Sequence, residues 1–171
     1  MRACVVCAGN ICRSPIAEAV FTEHLAAAGM AEYVRIESAG TGGWHVGEPA
    51  DPRALATLRA HGYDASRHHA RQFQASWFDD FDLVIALDRA NAADLRRLAP
   101  VESARDKIRL LRSYDPAAHG TSDLDVPDPY YGDDSGFEHV LRLVEAAGAG
   151  FTAQIKAELD PASRTDSPKA P

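Results

Sequence analysis

Residues 2 to 6 read as a short buried strand, and between Ser14 and Ala28 the apolar residues Ile16, Ala17, Val20, Phe21 and Leu25 recur at helical spacing. The tight loop joining them, Cys7-Ala8-Gly9-Asn10-Ile11-Cys12-Arg13-Ser14-Pro15, restricts the fold more than any other feature of the chain. A loop that ends at a helix start aims several unpaired backbone N–H groups at one spot, and the helix dipole adds partial positive charge there. Such a spot accepts an anion. Cys7 sits at its base, and the same field favours a thiolate there. Arg13, six positions further on, can grip two phosphate oxygens with its planar fork. Gly9 and Asn10 are expected to supply the positive φ angles of an anion nest, and Ser14 to donate its hydroxyl to the Cys7 sulfur. The chemistry implied is attack by cysteine on phosphorus. A buried structural cysteine beside a turn is the alternative.

The rest of the chain alternates in the same way. Residues 34–38 read as a second strand, followed by Gly40, Gly42 and Gly43 in a flexible turn that holds Trp44. Asp51-Pro52 opens a helix that Gly62 closes. Residues 82–87 are the clearest buried strand, a helix spans about 89–98 and stops before Pro100, and residues 108–111 offer a fourth strand. Ser135 with Glu138 has the form of a capping box, introducing Phe137, Val140, Leu141 and Val144, and Gly148 and Gly150 are expected to bend that last helix. Gly29 ends the first helix. Strands alternating with helices predict one doubly wound α/β domain over residues 1–159, a four-stranded parallel sheet with helices on both faces. Its ligand crevice should open beyond the carboxyl ends of the strands, where the loop after the first strand falls. Residues 160–171, rich in Pro, Ser, Ala and charge, are expected to form a disordered tail.

Composition excludes several classes. With 171 residues, 46% of them hydrophobic, the chain can bury one core without disulfides or a structural metal. A net charge of −7 opposes general nucleic-acid binding, which needs a basic face. The three cysteines, at 4, 7 and 12, form no disulfide framework and suit a reducing compartment, so cytoplasm is the expected location, with unconventional export left open. No stretch has signal-peptide or membrane-spanning form. Cys4 and Cys7 make a Cys-x-x-Cys pattern, but no second pair completes a zinc set, and none of the seven histidines belongs to a His-Glu-x-x-His motif. No dinucleotide fingerprint or Gly-Lys-Ser/Thr phosphate loop occurs, so neither a metal nor another cofactor is expected.

A second chemical element is Asp128-Pro129-Tyr130-Tyr131-Gly132. Alone it reads as an ordinary turn; opposite a cysteine nucleophile it can deliver an acid. Expelling a phenol, of pKa about 10, is eased by a protonated carboxyl at the bridging oxygen.

Taken in order, residues 7–15, Glu-Ser-Ala-Gly-Thr at 37–41, His68 with His69-Ala70-Arg71-Gln72, Leu-Asp-Arg-Ala-Asn at 87–91 and Asp128–Gly132 resemble the low-molecular-weight protein tyrosine phosphatases, bacterial and actinobacterial-like members above all. The resemblance implies Cys7 as nucleophile, Arg13 as the phosphate and transition-state ligand, and Asp128 as general acid and then base. It assigns residues 8–14 (Ala8, Gly9, Asn10, Ile11, Cys12, Arg13, Ser14) to the phosphate-binding loop, and Asn10, Ser14, Ser38 and His68 to the polar network supporting the thiolate. Ile11, Trp44, Tyr130 and Tyr131 match positions lining the substrate crevice, where flat walls suit an aromatic ring. Cys12 matches a second loop cysteine able to pair with an oxidised nucleophile, with a plain packing thiol as the other reading. Tyr130 and Tyr131 are candidates for phosphorylation by analogy.

The partners implied are phosphotyrosine proteins and a cognate tyrosine kinase, with the chain itself a monomer. Three rivals follow from the same loop. Related protein arginine phosphatases usually carry Thr where Ile11 stands. Thioredoxin-coupled arsenate reductases need a downstream cysteine pair, and no cysteine follows Cys12. A non-catalytic phosphotyrosine-binding module would have no use for Cys7, Arg13 and Asp128 together.

Overall fold

Alternate residues of the first strand face different cores, and this sets the architecture. In β1 (Arg2–Cys7), Ala3, Val5 and Cys7 join one buried cluster with Ile16, Val20, Phe21, Phe137 and Phe151, whereas Cys4 and Val6 join another with Phe73, Phe78, Phe81 and Leu95. A strand covered on both faces can carry an unbroken apolar run. The structure, a computed structural model, describes residues 1–159; the tail expected over 160–171 lies outside the described residues.

β1 is flanked by β2 (Arg35–Gly40) and β3 (Leu83–Ala86), with β4 (Ile108–Leu110) beyond β3. All pairings are parallel and the order is β2-β1-β3-β4. The helices α1 (Arg13–Ala27), α2 (Pro52–Ala60) and α6 (Asp134–Leu159) cover the first core. The second is covered by α3 (Trp77–Asp80), α4 (Arg89–Leu98) and α5 (Glu102–Arg105). The single-turn helices α3 and α5 are too short for a hydrophobic period to be read from sequence. Residue 111, expected to end the fourth strand, instead begins a 3-10 turn (Leu111–Tyr114).

Local signals hold where their groups are short and adjacent. Asp51 caps α2 by accepting from the Arg53 N–H at 2.8 Å, Pro52 fills its first position, and Gly62 follows its end at φ 83°. The start of α6 differs from the expected capping box. Asp133, not Ser135, is the capping acceptor: its Oδ1 takes both the backbone N–H (3.0 Å) and the hydroxyl (2.5 Å) of Ser135. Glu138 turns away to His61, 3.0 Å distant.

The helix α6 runs unbroken over 26 residues through Gly148 and Gly150. Both permit close contact. A Cβ at 148 would lie 3.0 Å from both Phe21 and His24, and one at 150 would lie 1.8 Å from the Tyr114 carbonyl oxygen. A glycine inside a helix costs about 1 kcal/mol relative to alanine, less than displacing that backbone.

Candidate active site

The strand order reverses direction at β1, so the loop leaving its carboxyl end opens into the crevice between diverging connections. Two neighbouring backbone donors pin that loop: Thr41 N to Cys7 O at 2.8 Å and Gly42 N to Ala8 O at 2.9 Å. Among the described residues Asn10 is the one non-glycine with positive φ, 57°. Such a conformation costs on the order of 1 kcal/mol, and here its side chain is fully buried and bonded on every side. Its Nδ2 donates to Ser14 Oγ and Ser38 Oγ, each at 2.9 Å, and its Oδ1 accepts from the Arg71 N–H at 2.8 Å. His68 Nε2 lies 2.7 Å from the Asn10 carbonyl oxygen, and Ser38 donates onward to Glu18 at 2.5 Å.

Gly9 does not share the positive φ expected of it. A Cβ there would come within 3.1 Å of the His45 ring, a tight contact that the ring would have to ease by a few tenths of an ångström. The turn after β2 carries the exposed Trp44, whose ring a Cβ at Gly42 would meet at 2.1 Å.

Cys7, 3% exposed, lies at the floor of the crevice. Ser14 Oγ is 3.0 Å from its sulfur, and the Asn10 N–H donates to the same atom at 3.3 Å. Among the described residues, the amides of 8, 9, 11 and 12 meet no protein acceptor, which leaves them for an anion. Arg13 is buried, with Nη1 donating to Asp88 (2.5 Å) and to the Val126 carbonyl (2.9 Å), and Nη2 to Asp128 (2.9 Å). Burial works against its charge, yet the Cys7 sulfur and the two carboxylates more than offset this and hold the guanidinium above its ordinary value. Asp88 serves twice, since its other oxygen caps α4 at Asn91 N, 2.7 Å away.

Burial pushes the Cys12 thiol up to about 12, with Asp51, Cys7 and Asp128 adding to the effect. Burial pushes Cys4 higher still. Both are therefore neutral thiols near pH 7 and weak nucleophiles.

The crevice has a volume of about 340 Å³ and is walled by Ile11, Trp44, His45, Asp128, Tyr130 and Tyr131. Trp44 (74%) and Tyr131 (97%) are exposed, and Tyr130 and Tyr131 meet edge to face with centroids 4.9 Å apart. Asp128 is half exposed, with Oδ1 accepting from the Tyr130 N–H at 3.1 Å. All site residues expected from sequence thus fall in or directly behind one crevice. Glu18, His45 and Asp88 were not foreseen as site residues. Asp88, at the end of a buried strand and the start of a helix, carried a readable signal; Glu18 is one turn beyond Ser14, and nothing local marks His45. Among the described residues no group of three or more His, Cys, Asp or Glu is arranged to hold a metal, and no helix is long and apolar enough to cross a membrane.

Comparison with known proteins agrees with this geometry. Residues 2–161 match the family model described as low molecular weight phosphotyrosine protein phosphatase. A low molecular weight protein-tyrosine-phosphatase of Streptomyces coelicolor is 57% identical over 159 residues, covering 93% of this chain and 96% of that protein. The low molecular weight protein-tyrosine phosphatase A of Mycobacterium bovis is 52% identical over 146 residues, 85% of this chain and 86% of its own. Among solved structures, a protein tyrosine phosphatase from Entamoeba histolytica superposes with a TM-score of 0.85 at 32% identity, covering 92% of this chain and 98% of that one.

Proposed function

This chain belongs to the low molecular weight phosphotyrosine protein phosphatase family and is a metal-independent protein-tyrosine-phosphatase, and we propose that Cys7, Arg13 and Asp128 carry its reaction. The observation behind this reading is that Cys7 shares one crevice with residues 8, 9, 11 and 12, whose amides meet no protein acceptor, and with Arg13, joined at 2.9 Å to the one carboxylate lining that crevice.

The Cys7 thiolate attacks phosphorus in line. An S–P bond forms as the P–O bond to tyrosine breaks, and Asp128 gives its proton to the departing phenolic oxygen. The loop amides and Arg13 hold the three equatorial oxygens throughout, stabilising charge on the transferring group. A bound phosphate dianion competes with Asp128 for Arg13 and neutralises that cation, so the carboxyl can carry its proton beside the leaving group. Water then attacks phosphorus, gives its proton to Asp128 and breaks the S–P bond, releasing inorganic phosphate. Ser14 and Asn10 hold the sulfur in line, while Ser38, His68 and Glu18 fix Asn10 from behind. Ile11, apolar at the crevice wall, favours an aryl ester over a phosphoguanidinium, and Trp44, Tyr130 and Tyr131 flank the ring. Cys12, lining the same crevice, is the candidate to pair with an oxidised Cys7. We take the protein to act as a cytoplasmic monomer on phosphotyrosine proteins made by a tyrosine kinase in the same compartment.

The test is turnover of 4-nitrophenyl phosphate. Cys7→Ser should lower kcat by at least about 10⁴-fold, alkylation of Cys7 should abolish turnover, and excess chelator should change nothing. Full activity after alkylation, or loss on chelation restored by magnesium, would remove the mechanism.

A further inference from the structure

The segment bearing Asp128 runs from residue 119 to the start of α6 without regular structure, yet one side chain from another element holds two of its carbonyls. Arg53, near the start of α2, donates from Nη2 to Tyr130 O and from Nη1 to Gly132 O, each at 3.1 Å. Two further donors go to Asp51, Nε to Oδ1 at 3.0 Å and Nη2 to Oδ2 at 2.8 Å. The guanidinium also lies over the buried Phe137 ring, 4.6 Å from its centroid, and 5.9 Å from that of Tyr130. Asp51 is itself fixed to the phosphate loop, because its backbone N–H donates to Ile11 O at 2.8 Å. A continuous chain of bonds therefore runs from Ile11 through Asp51 and Arg53 to the residues two and four positions beyond Asp128. The crevice lies between the two ends of that chain.

A helix-capping ion pair needs only Asp51 and the start of α2. The bonds to Tyr130 and Gly132 go beyond that need and act on another loop. The planar fork makes four bonds here, two to carbonyls and two to the carboxylate, from three separate nitrogens; an ammonium, with three donors on one atom, cannot. We infer that Arg53 is a positioning residue, clamping the Asp128 loop to the phosphate loop so that the carboxyl is held at the leaving oxygen above Cys7. This rests on Asp128 being the general acid. Proton transfer to the leaving group contributes about 10² to 10⁴ in rate and is lost steeply with small displacements, so loosening the clamp should forfeit part of it.

The experiment compares kcat/KM for phenyl phosphate, whose leaving group needs the proton, with that for 4-nitrophenyl phosphate, whose leaving group needs it less. Arg53→Ala should lower the first about tenfold and the second no more than about threefold. Arg53→Lys, which keeps a cation above Phe137 but cannot span both carbonyls, should recover only part of the difference. In an Asp128→Ala background, Arg53→Ala should leave the ratio between substrates unchanged. Equal losses on both substrates, or no loss, with Asp128→Ala still discriminating between them, would overturn the inference and leave Asp128 as the acid. Failure of Asp128→Ala itself to discriminate would overturn the acid assignment and this inference with it. Should Arg53→Ala not fold, the same ratio in Arg53→Lys decides.

Discussion

The two halves of the crevice are built differently. Around Cys7, Asn10, Ser14 and Ser38 are buried and bonded to one another, to Arg71 and to Glu18, and His68 closes the ring behind them. Around Asp128 the side chains of Tyr130 and Tyr131 are open to solvent, Tyr131 almost completely, and the segment is tied down at a few points by Arg13, Arg53 and the Val126 N–H bond to Leu87 O. The difference follows the demands of the chemistry. A phosphoryl group has one shape, so the amides and guanidinium that receive it are best fixed before it arrives. The phosphotyrosine it hangs from belongs to a protein, so the opposite wall has to admit a bulky chain. Rigidity is placed where the ligand never varies.

That contrast can be broken by mutation. Asp128→Ala should give the larger effect on rate, about a hundredfold in kcat for esters of poor leaving groups, with little change in melting temperature because the side chain is half exposed. A matching fall in stability would show that the open wall is as structural as the closed one.

Asn10→Ala should reverse the pattern. It strands buried groups on Ser14, Ser38 and Arg71 and puts alanine at φ 57°. We expect about 1–3 kcal/mol of lost stability and about tenfold lower kcat, read by denaturant melts and turnover on the same preparation. Unchanged stability would mean that the network is not what fixes the loop.

The smallest effect concerns Asp51, which links the two halves. Hydrogen bonds from the Arg53 guanidinium hold its carboxyl below the ordinary carboxylate range, outweighing burial. A carboxylate depressed on folding contributes stability that is complete above the unfolded pKa of about 4 and disappears as pH falls through the folded value. Melting temperature should therefore drop less between pH 6 and pH 3 in Asp51→Asn than in the parent protein. Parallel curves would remove the link.

Legibility in the sequence followed the range of the interaction. The strand, loop and helix at residues 2–28 could be read because the period of the apolar residues and the order of Cys7, Asn10, Arg13 and Ser14 are local facts. The Asp51-Pro52 cap could be read for the same reason. Gly148 and Gly150 offered only a local meaning, a bend, whereas the contacts they allow are with Phe21, His24 and the Tyr114 carbonyl, remote in sequence. Ser135 and Glu138 satisfied a spacing rule, but Asp133 was the nearer acceptor and His61 drew Glu138 away.

Sequence alone determined the chemistry, because a cysteine, a run of amides and an arginine in one tight loop have few uses, and a shared motif order narrows them to one family. Only tertiary structure decided what surrounds that loop. Glu18 behind Ser38, Asp88 beneath Arg13 and Arg53 against the carbonyls of 130 and 132 meet partners 20 to 79 positions away in sequence. Periodicity and motif order encode neighbours along the chain; contacts across the sheet and crevice exist only once four strands have fixed which loops meet.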